Sequence, residues 1–298
     1  MATIYQDEGI DMLTLLAPAK LNLTLEVLRK RQDGFHEIRS VIQTINLGDT
    51  LSFEPSGSME FKSDLSGWIA EESLVSKTAS LFQQATGCSR GATITVSKRI
   101  PLVSGLGGDS SDAAAVLCGL NQLWEQNLSR EELLKLAWQL GSDVAFFLYG
   151  GTALIEGRGE LVTPLPSLPH MWVVLALSPV PRLSGKTKQL YDSLSTNHYT
   201  DGHITQQLVE EIKKGEELGS SLLFNTFESV VFTPFSELRI YRDHIVKMGA
   251  PTVHLAGSGP ALFTLMNDRA RAEDLYGHLK QQRFESYLTD TLASSVSA

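Results

Sequence analysis

The sequence predicts a mixed α+β chain in two parts, and three observations carry that reading. A chain of 298 residues is long for one hydrophobic core. Segments that alternate like strands, such as Leu21–Leu28, share the chain with segments of helical period, such as Ala113–Leu123. A proline-rich joint, Pro164-Leu-Pro166-Ser-Leu-Pro169, interrupts the pattern past the middle and sets an expected boundary between residues 1–163 and 164–298.

Met12–Ala17 and Leu21–Leu28 read as strands, because Leu21, Leu23, Leu25 and Val27 alternate with Asn22, Thr24 and Glu26. Arg29–Gly34 is a polar turn with Asp33-Gly34 at its tip. Ile38–Leu47, Leu51–Phe53 and Met59–Phe61 are strand-like, and a helix is expected over Glu71–Thr86. Thr93–Ser97 alternates β-branched residues and ends at Lys98-Arg99-Ile100-Pro101. The next helix carries Ala113, Val116, Leu117, Leu120 and Leu123 on one face. Ser110 or Ser111 is its expected N-cap, with Asp112 in the first turn. Ser129-Arg-Glu-Glu132 is a capping box for a helix through Leu140, closed by Gly141. Gly150-Gly151 marks a turn and Thr152–Glu156 a strand. Beyond the joint, Trp172–Leu177 reads as a buried strand, followed by helices over Lys186–Leu194, Ile204–Lys214, Phe235–Met248 and Arg269–Gln282. Thr252–Leu255 and Ala261–Met266 are strands flanking a second glycine turn, Gly257-Ser258-Gly259. Residues before Met12 read as an unstructured leader and Ala293–Ala298 as a fraying tail.

Composition narrows the function. Apolar content of 42% and charged content of 20% are those of a soluble globular enzyme or binding protein. A net charge of −9 argues against a nucleic-acid surface, which needs clustered Lys and Arg. No apolar run reaches the ~18 residues of a membrane span. The acidic start, with Asp7, Glu8 and Asp11, does not resemble a signal peptide, so a cytoplasmic protein is expected. Cys88 and Cys118 are the only cysteines and read as two free buried thiols. The histidines show no ligand spacing such as His-x3-His.

The most informative segment is Pro101-Leu102-Val103-Ser104-Gly105-Leu106-Gly107-Gly108-Asp109-Ser110-Ser111, directly before a helix. Glycines let a ligand approach the main chain, and a helix start offers free N–H donors and a positive dipole end. That is the composition of a phosphate cradle; a glycine-rich capping turn is the alternative. It is not a Walker A loop, because no Gly-Lys-Ser/Thr follows. Gly185-Lys186-Thr187 occurs later, but Val180 stands where that motif needs its first glycine. It also lacks the third glycine of a dinucleotide fingerprint.

Other residues could carry chemistry. Lys20 precedes an alternating strand, where an isolated lysine is ordinarily solvated. Asp143, in Gly141-Ser142-Asp143-Val144, has the setting of a cap, and an ionised carboxylate can accept a hydroxyl proton. Phe35-His36 follows a tight turn and suits base stacking with edge recognition, or a plain loop anchor. Gly257-Ser258-Gly259 could be a tight turn or a second phosphate contact.

Together these resemble the GHMP kinases. Ala17-Pro18-Ala19-Lys20 with Asn22, the run Pro101–Ala115, and Leu255-Ala-Gly257-Ser258-Gly259 match that family's three motifs in order. Arg31-Gln-Asp-Gly34-Phe35-His36-Glu37, Gln43-Thr44-Ile45, Gly141-Ser142-Asp143-Val144 and Gly157-Arg158-Gly159-Glu160 are similar to the branch that takes a cytidyl diphosphate sugar alcohol. The match spans roughly residues 13–270.

The resemblance implies a two-domain fold: an N-terminal domain like ribosomal protein S5 domain 2 and a ferredoxin-like C-terminal domain, with the substrate cleft between them. It implies ATP and Mg²⁺, and phosphorylation of an alcohol on a small molecule rather than a nucleic-acid or membrane partner. A monomer or homodimer is expected. By motif position Asp143 is the catalytic base, with Lys20 beside it. Pro101–Ser111 wraps the ATP phosphates. Asn22 and Thr187 lie on the substrate side, Phe35 stacks on the base and His36 reads its edge. The Mg²⁺ ligands stay unassigned, a loop serine being the candidate. Two other readings stay open: a GHMP enzyme with a mevalonate-type substrate, and a catalytically silent GHMP-fold binding protein. Two departures stand out. Asp109 replaces a family glycine and puts a carboxylate in the phosphate loop. Asn225-Thr226-Phe227-Glu228 has Thr where the family has Asp.

Overall fold

The computed structural model describes residues 5–6, 12–66, 68–178, 185–215, 222–231 and 236–293. The first part begins with β1 (Tyr5–Gln6), β2 (Leu13–Asn22), β3 (Thr24–Lys30), β4 (His36–Ser56), β5 (Met59–Ser63), α1 (Leu74–Thr86) and β6 (Gly91–Ser97). It continues with α2 (Gly108–Leu123), α3 (Arg130–Leu140), α4 (Val144–Phe147), β7 (Thr152–Gly157) and β8 (Leu161–Pro164). After β9 (Trp172–Leu177) come α5 (Lys186–Ser193), α6 (His203–Lys214), β10 (Phe224–Asn225), α7 (Glu228–Val231) and α8 (Ser236–Lys247). β11 (His254–Leu255), β12 (Ala261–Met266), α9 (Arg269–Gln281) and β13 (Glu285–Asp290) complete the chain.

β4 is the spine of the first sheet. One of its edges pairs with β3 and then β2; the other pairs with β7 and then β6. The expected strands Ile38–Leu47 and Leu51–Phe53 are therefore one strand. Gly48-Asp49 carries it through between them. A Cβ at Gly48 would lie 2.9 Å from the Ala17 carbonyl oxygen, so only glycine lets β2 pair there. The second sheet, β11-β12-β9-β13, is antiparallel where strands meet. The chain does not stay on its own side of the joint: β10 runs parallel to β3, and Thr291 bridges to Ile45.

A bulge between Pro18 and Ala19 decides what each face of β2 sees. Leu13, Leu15 and Ala17 pack in the cluster with α1–α4, whereas Ala19, Leu21 and Leu23 pack with Val173, Leu175, Leu177 and Phe263 of the second sheet. Across the break β4 leaves two residues unpaired, Asn46 and Leu47, and the side chains of β2 pass from one layer to the other. Lys20 and Asn22 thereby turn away from that second apolar layer. Truncating Leu21, which is wholly buried in it, should cost ~2–5 kcal/mol.

Several local expectations hold. Ser129 Oγ accepts the Glu132 N–H at 3.3 Å, and the Glu132 carboxylate accepts the Ser129 N–H at 2.8 Å. Others are corrected. α2 starts earlier than its serines suggest: its N-cap is Gly107, in the left-handed region at φ +77°, so Ser110 and Ser111 lie inside the helix and Asp109, not Asp112, occupies the first turn. The polar turn shrinks because β3 runs to Lys30. The Glu71–Thr86 helix divides into a 3-10 turn, Ala70–Glu72, and α1. The leader falls outside the described residues except Tyr5–Gln6, which pairs with β2. The tail from residue 294 and residue Phe235 also lie outside them. Cys88 and Cys118 are free but only half-buried. Among the described residues, no helix is long and apolar enough to cross a membrane.

Candidate active site

The loop before α2 packs against the second part of the chain. A Cβ at Gly105, φ +86°, would sit 2.1 Å from the Ala256 carbonyl oxygen. A Cβ at Gly107 would press within 3.0 Å of Lys20 Cγ and Phe147 Cζ. The Ser111 N–H donates to Gly107 O at 3.0 Å; the N–H groups of Gly108, Asp109 and Ser110 precede the first intrahelical bond. A hollow of about 170 Å³ lies in front of them, lined by Pro101–Gly105 and Gly107–Ser110 with Lys98 and Ile100. Leu106 and Ser111 do not line it. Leu106 is buried in the core, and the buried Ser111 hydroxyl has no hydrogen-bond partner.

A cleft of about 850 Å³ adjoins this hollow and gathers most of the predicted residues: Lys20, Asn22, Phe35, His36, Asp143 and Thr187. Lys20 is buried, not solvated. Its backbone N–H donates to Leu106 O at 2.9 Å, and its ammonium donates to Asn22 Oδ1 at 2.7 Å. Asn22 Nδ2 donates in turn to Ser40 Oγ at 2.9 Å. The ammonium also lies 3.4 Å from Asp143 Oδ2. Asp143 is the N-cap of α4 but makes no capping bond with its side chain, so the carboxylate faces the cleft. A fixed lysine beside a partly exposed carboxylate can orient a hydroxyl and accept its proton.

In the same cleft, Phe35 is 57% exposed, and the Arg158 guanidinium sits 4.8 Å over its ring. His36 stacks on Tyr191 with 5.0 Å between ring centroids. Burial, helped by the Lys30 charge, holds the His36 imidazole below the usual histidine range. It is neutral at pH 7 and offers both a donor and an acceptor. Thr187 Oγ1 is 2.8 Å from Ser258 Oγ, which ties α5 to the Gly257-Ser258-Gly259 turn. That turn is held from below by Asn225, whose Nδ2 donates to Leu255 O at 2.9 Å and Gly257 O at 2.8 Å. Thr226, the departure from the family pattern, accepts the Val27 N–H at 3.0 Å and so fastens the motif to β3.

Asp109 stands near a lysine that two other carboxylates hold. Its side chain is 73% exposed, with a carboxylate oxygen 3.8 Å from Lys98 Nζ. Lys98 is buried between Asp49 at 2.6 Å and Asp112 at 2.7 Å. Asp49 also accepts the N–H groups of Arg99, at 2.5 Å, and Ile100, at 2.7 Å, and thereby shapes the loop entrance. Burial, against the pull of Lys98, pushes the Asp112 carboxyl up to about 7.

Sequence reasoning missed Asp49, Lys98, Arg158, Lys186 and Tyr191. Arg158 stood in a quoted motif without a role. Lys186 belongs to the Gly185-Lys186-Thr187 triplet, whose spacing fails a Walker A motif. It is buried in the cleft wall, and burial lowers its ammonium to about 8.

Two family models match, the GHMP kinases N terminal domain over residues 73–151 and the GHMP kinases C terminal over residues 206–285. The chain belongs to the GHMP kinases, and its fold is theirs. Within them it is 51% identical over 281 residues to the 4-diphosphocytidyl-2-C-methyl-D-erythritol kinase of Dehalococcoides mccartyi, covering 94% of this chain and 99% of that one. The Listeria monocytogenes protein of the same name is 38% identical, covering 93% and 94%. A crystal structure of 4-(cytidine 5'-diphospho)-2C-methyl-D-erythritol kinase superposes with TM-score 0.80 at 33% identity, covering 93% of this chain and 98% of that one. L. major mevalonate kinase in complex with R-mevalonate superposes at TM-score 0.71 but 18% identity, a likeness of fold alone.

Proposed function

We infer that this chain is an ATP-dependent kinase that phosphorylates the 2-hydroxyl of 4-diphosphocytidyl-2-C-methyl-D-erythritol, a step in non-mevalonate isoprenoid synthesis. The relatives that bear this activity in their names match nearly the whole chain. The observation that carries the reading is the Lys20–Asp143 pair, 3.4 Å apart where the loop hollow meets the cleft. ATP phosphates take the hollow, against the N–H groups of Gly108–Ser110. The cytidyl group takes the far end of the cleft, with Phe35 stacked on the base and His36 on its edge. Asn22 and Thr187 hold the substrate between.

In the reaction Asp143 accepts the proton of the substrate hydroxyl. The alcohol oxygen attacks the γ-phosphorus in line, and the bond to the β-phosphate oxygen breaks to leave ADP. Lys20 holds Asp143 and balances the charge gathering on the attacking side. The mouth of the hollow offers hard oxygen donors, the exposed Asp109 carboxylate and the Ser110 hydroxyl, which suit Mg²⁺. Bound there, the ion supplies charge neutralisation for the phosphate oxygens. The same reading places a monomer or homodimer in the cytoplasm, acting on a small molecule.

A mevalonate-type substrate is disfavoured, because the mevalonate kinase structure shares only the fold. A silent binding protein is disfavoured by the intact Lys20–Asp143 pair. The test is ADP release with ATP, Mg²⁺ and the cytidyl substrate. Turnover of mevalonate or phosphomevalonate in its place would sink the reading.

A further inference from the structure

We propose that Glu26, Asp201 and His203 form a binding site for a divalent transition-metal ion of the zinc class, bridging β3 to the start of α6. One ligand atom from each residue lies within 4.8 Å of the others. Glu26 is fully buried. Its Oε2 accepts the Thr205 N–H at 2.7 Å, which caps α6, but its Oε1 has no hydrogen-bond partner. A carboxylate oxygen taken out of water without a donor is costly, and a cation is one way to satisfy it.

The other two ligands open the site to solvent. The side chains of His203 and Asp201 are 62% and 78% exposed, and His203 Nδ1 stands 2.6 Å from Asp201 Oδ1. A metal ion takes the place of the proton this pair shares. Arg39, opposite Glu26 in the β3–β4 register, is directed elsewhere: its guanidinium lies 3.1 Å from Glu156 and 2.7 Å from Gln206. One imidazole and two carboxylates suit Zn²⁺, Co²⁺, Ni²⁺ or Mn²⁺; no thiolate is present to select Cu(I). Open positions would be filled by water.

The site shares no residue with the cleft, and its effect is structural. The Thr200 N–H donates to Val27 O at 3.1 Å, and Thr205 Oγ1 donates to Thr24 Oγ1 at 2.9 Å. The segment before α6 therefore lies along β3, the strand that leads into the Phe35-His36 turn. A bound ion staples the two together.

The metal-stripped full-length chain should be titrated with CoCl2 and ZnCl2, read by visible absorption, calorimetry and thermal unfolding. One equivalent of Co²⁺ is expected, with a ligand-field band and a rise in Tm at saturation. His203→Ala and Glu26→Gln should each weaken binding at least about tenfold. The glutamine keeps a carbonyl oxygen for the Thr205 N–H, so α6 stays capped. Asp201→Asn, on an exposed side chain, repeats the test should either variant unfold. Absence of stoichiometric binding, or undiminished binding in His203→Ala and Asp201→Asn, overturns the proposal.

Discussion

Replacing Asp143 by asparagine removes one charge and almost no volume, which makes it the cleanest probe of the proposed base. Asp143 lies 3.4 Å from Lys20, with side-chain exposures of 36% and 6%. At an effective dielectric of ~20, charges at that distance attract by ~4–5 kcal/mol. A third of the Asp143 side chain is open to water, and screening cuts the pair's net worth to ~1 kcal/mol. Lys20 also keeps its 2.7 Å bond to Asn22 Oδ1. The variant should fold, with a Tm lower by only a few degrees. Turnover should respond far more, because a positioned base contributes about 10²–10⁴, or ~3–5 kcal/mol. Steady-state ADP release should show that loss in kcat, with KM for both substrates within about threefold. Near-normal kcat, or a loss confined to KM, would refute the assignment and move the role to another group in the cleft.

Four further outcomes follow from the geometry. Gly105→Ala puts a Cβ 2.1 Å from the Ala256 carbonyl oxygen at φ +86°, so the loop must shift; KM for ATP should rise tenfold or more, and an unchanged KM would mean the loop does not hold the nucleotide. Asp109→Gly should raise the Mg²⁺ concentration needed for half-maximal rate; an unchanged requirement would mean that the carboxylate serves Lys98 alone. Asp112, pushed up to about 7, holds its proton in the folded chain across a range where the unfolded chain, with a value about 4, has lost it. Stability should therefore fall as pH rises from about 4 to 7 and level off above; in Asp112→Asn that component vanishes from thermal unfolding profiles, and an unaltered profile would contradict it. His36 is held neutral by burial, so acidifying to below the usual histidine range should raise KM for the cytidyl substrate, whereas His36→Gln should show no such rise.

Much of the fold is legible locally. Trp172–Leu177 and Ala261–Met266 are strands as their unbroken apolar runs suggest. The Ser129–Glu132 box opens α3 because its four residues satisfy one another without help. Where local reading fails, a distant partner is the cause. β4 runs on through Leu47-Gly48-Asp49-Thr50 where two separate strands are expected, because Gly48, opposite Pro18, has no Cβ to meet the Ala17 carbonyl oxygen and Asp49 is claimed by the Arg99 and Ile100 N–H groups. The α2 start moves three residues upstream of Ser110 to Gly107, because a glycine in the left-handed region can nucleate the helix without a side-chain cap.

The sequence by itself determined the chemistry available: a glycine loop before a helix, one lysine and one aspartate in motif settings, an aromatic and a histidine after a turn. Composition and order suffice for these because turns, caps and periodicity are short-range. Only the tertiary structure decided which groups meet. The bulge at Pro18/Ala19 turns Lys20 off the apolar layer shared with the second sheet, and the short α4 brings Asp143 to it. Lys98 is held under the loop by Asp49 and Asp112, while Asp109 stays largely exposed 3.8 Å away, at the mouth of the hollow. Register, bulges and buried ion pairs join residues far apart in the chain, and no local pattern encodes a distance between them.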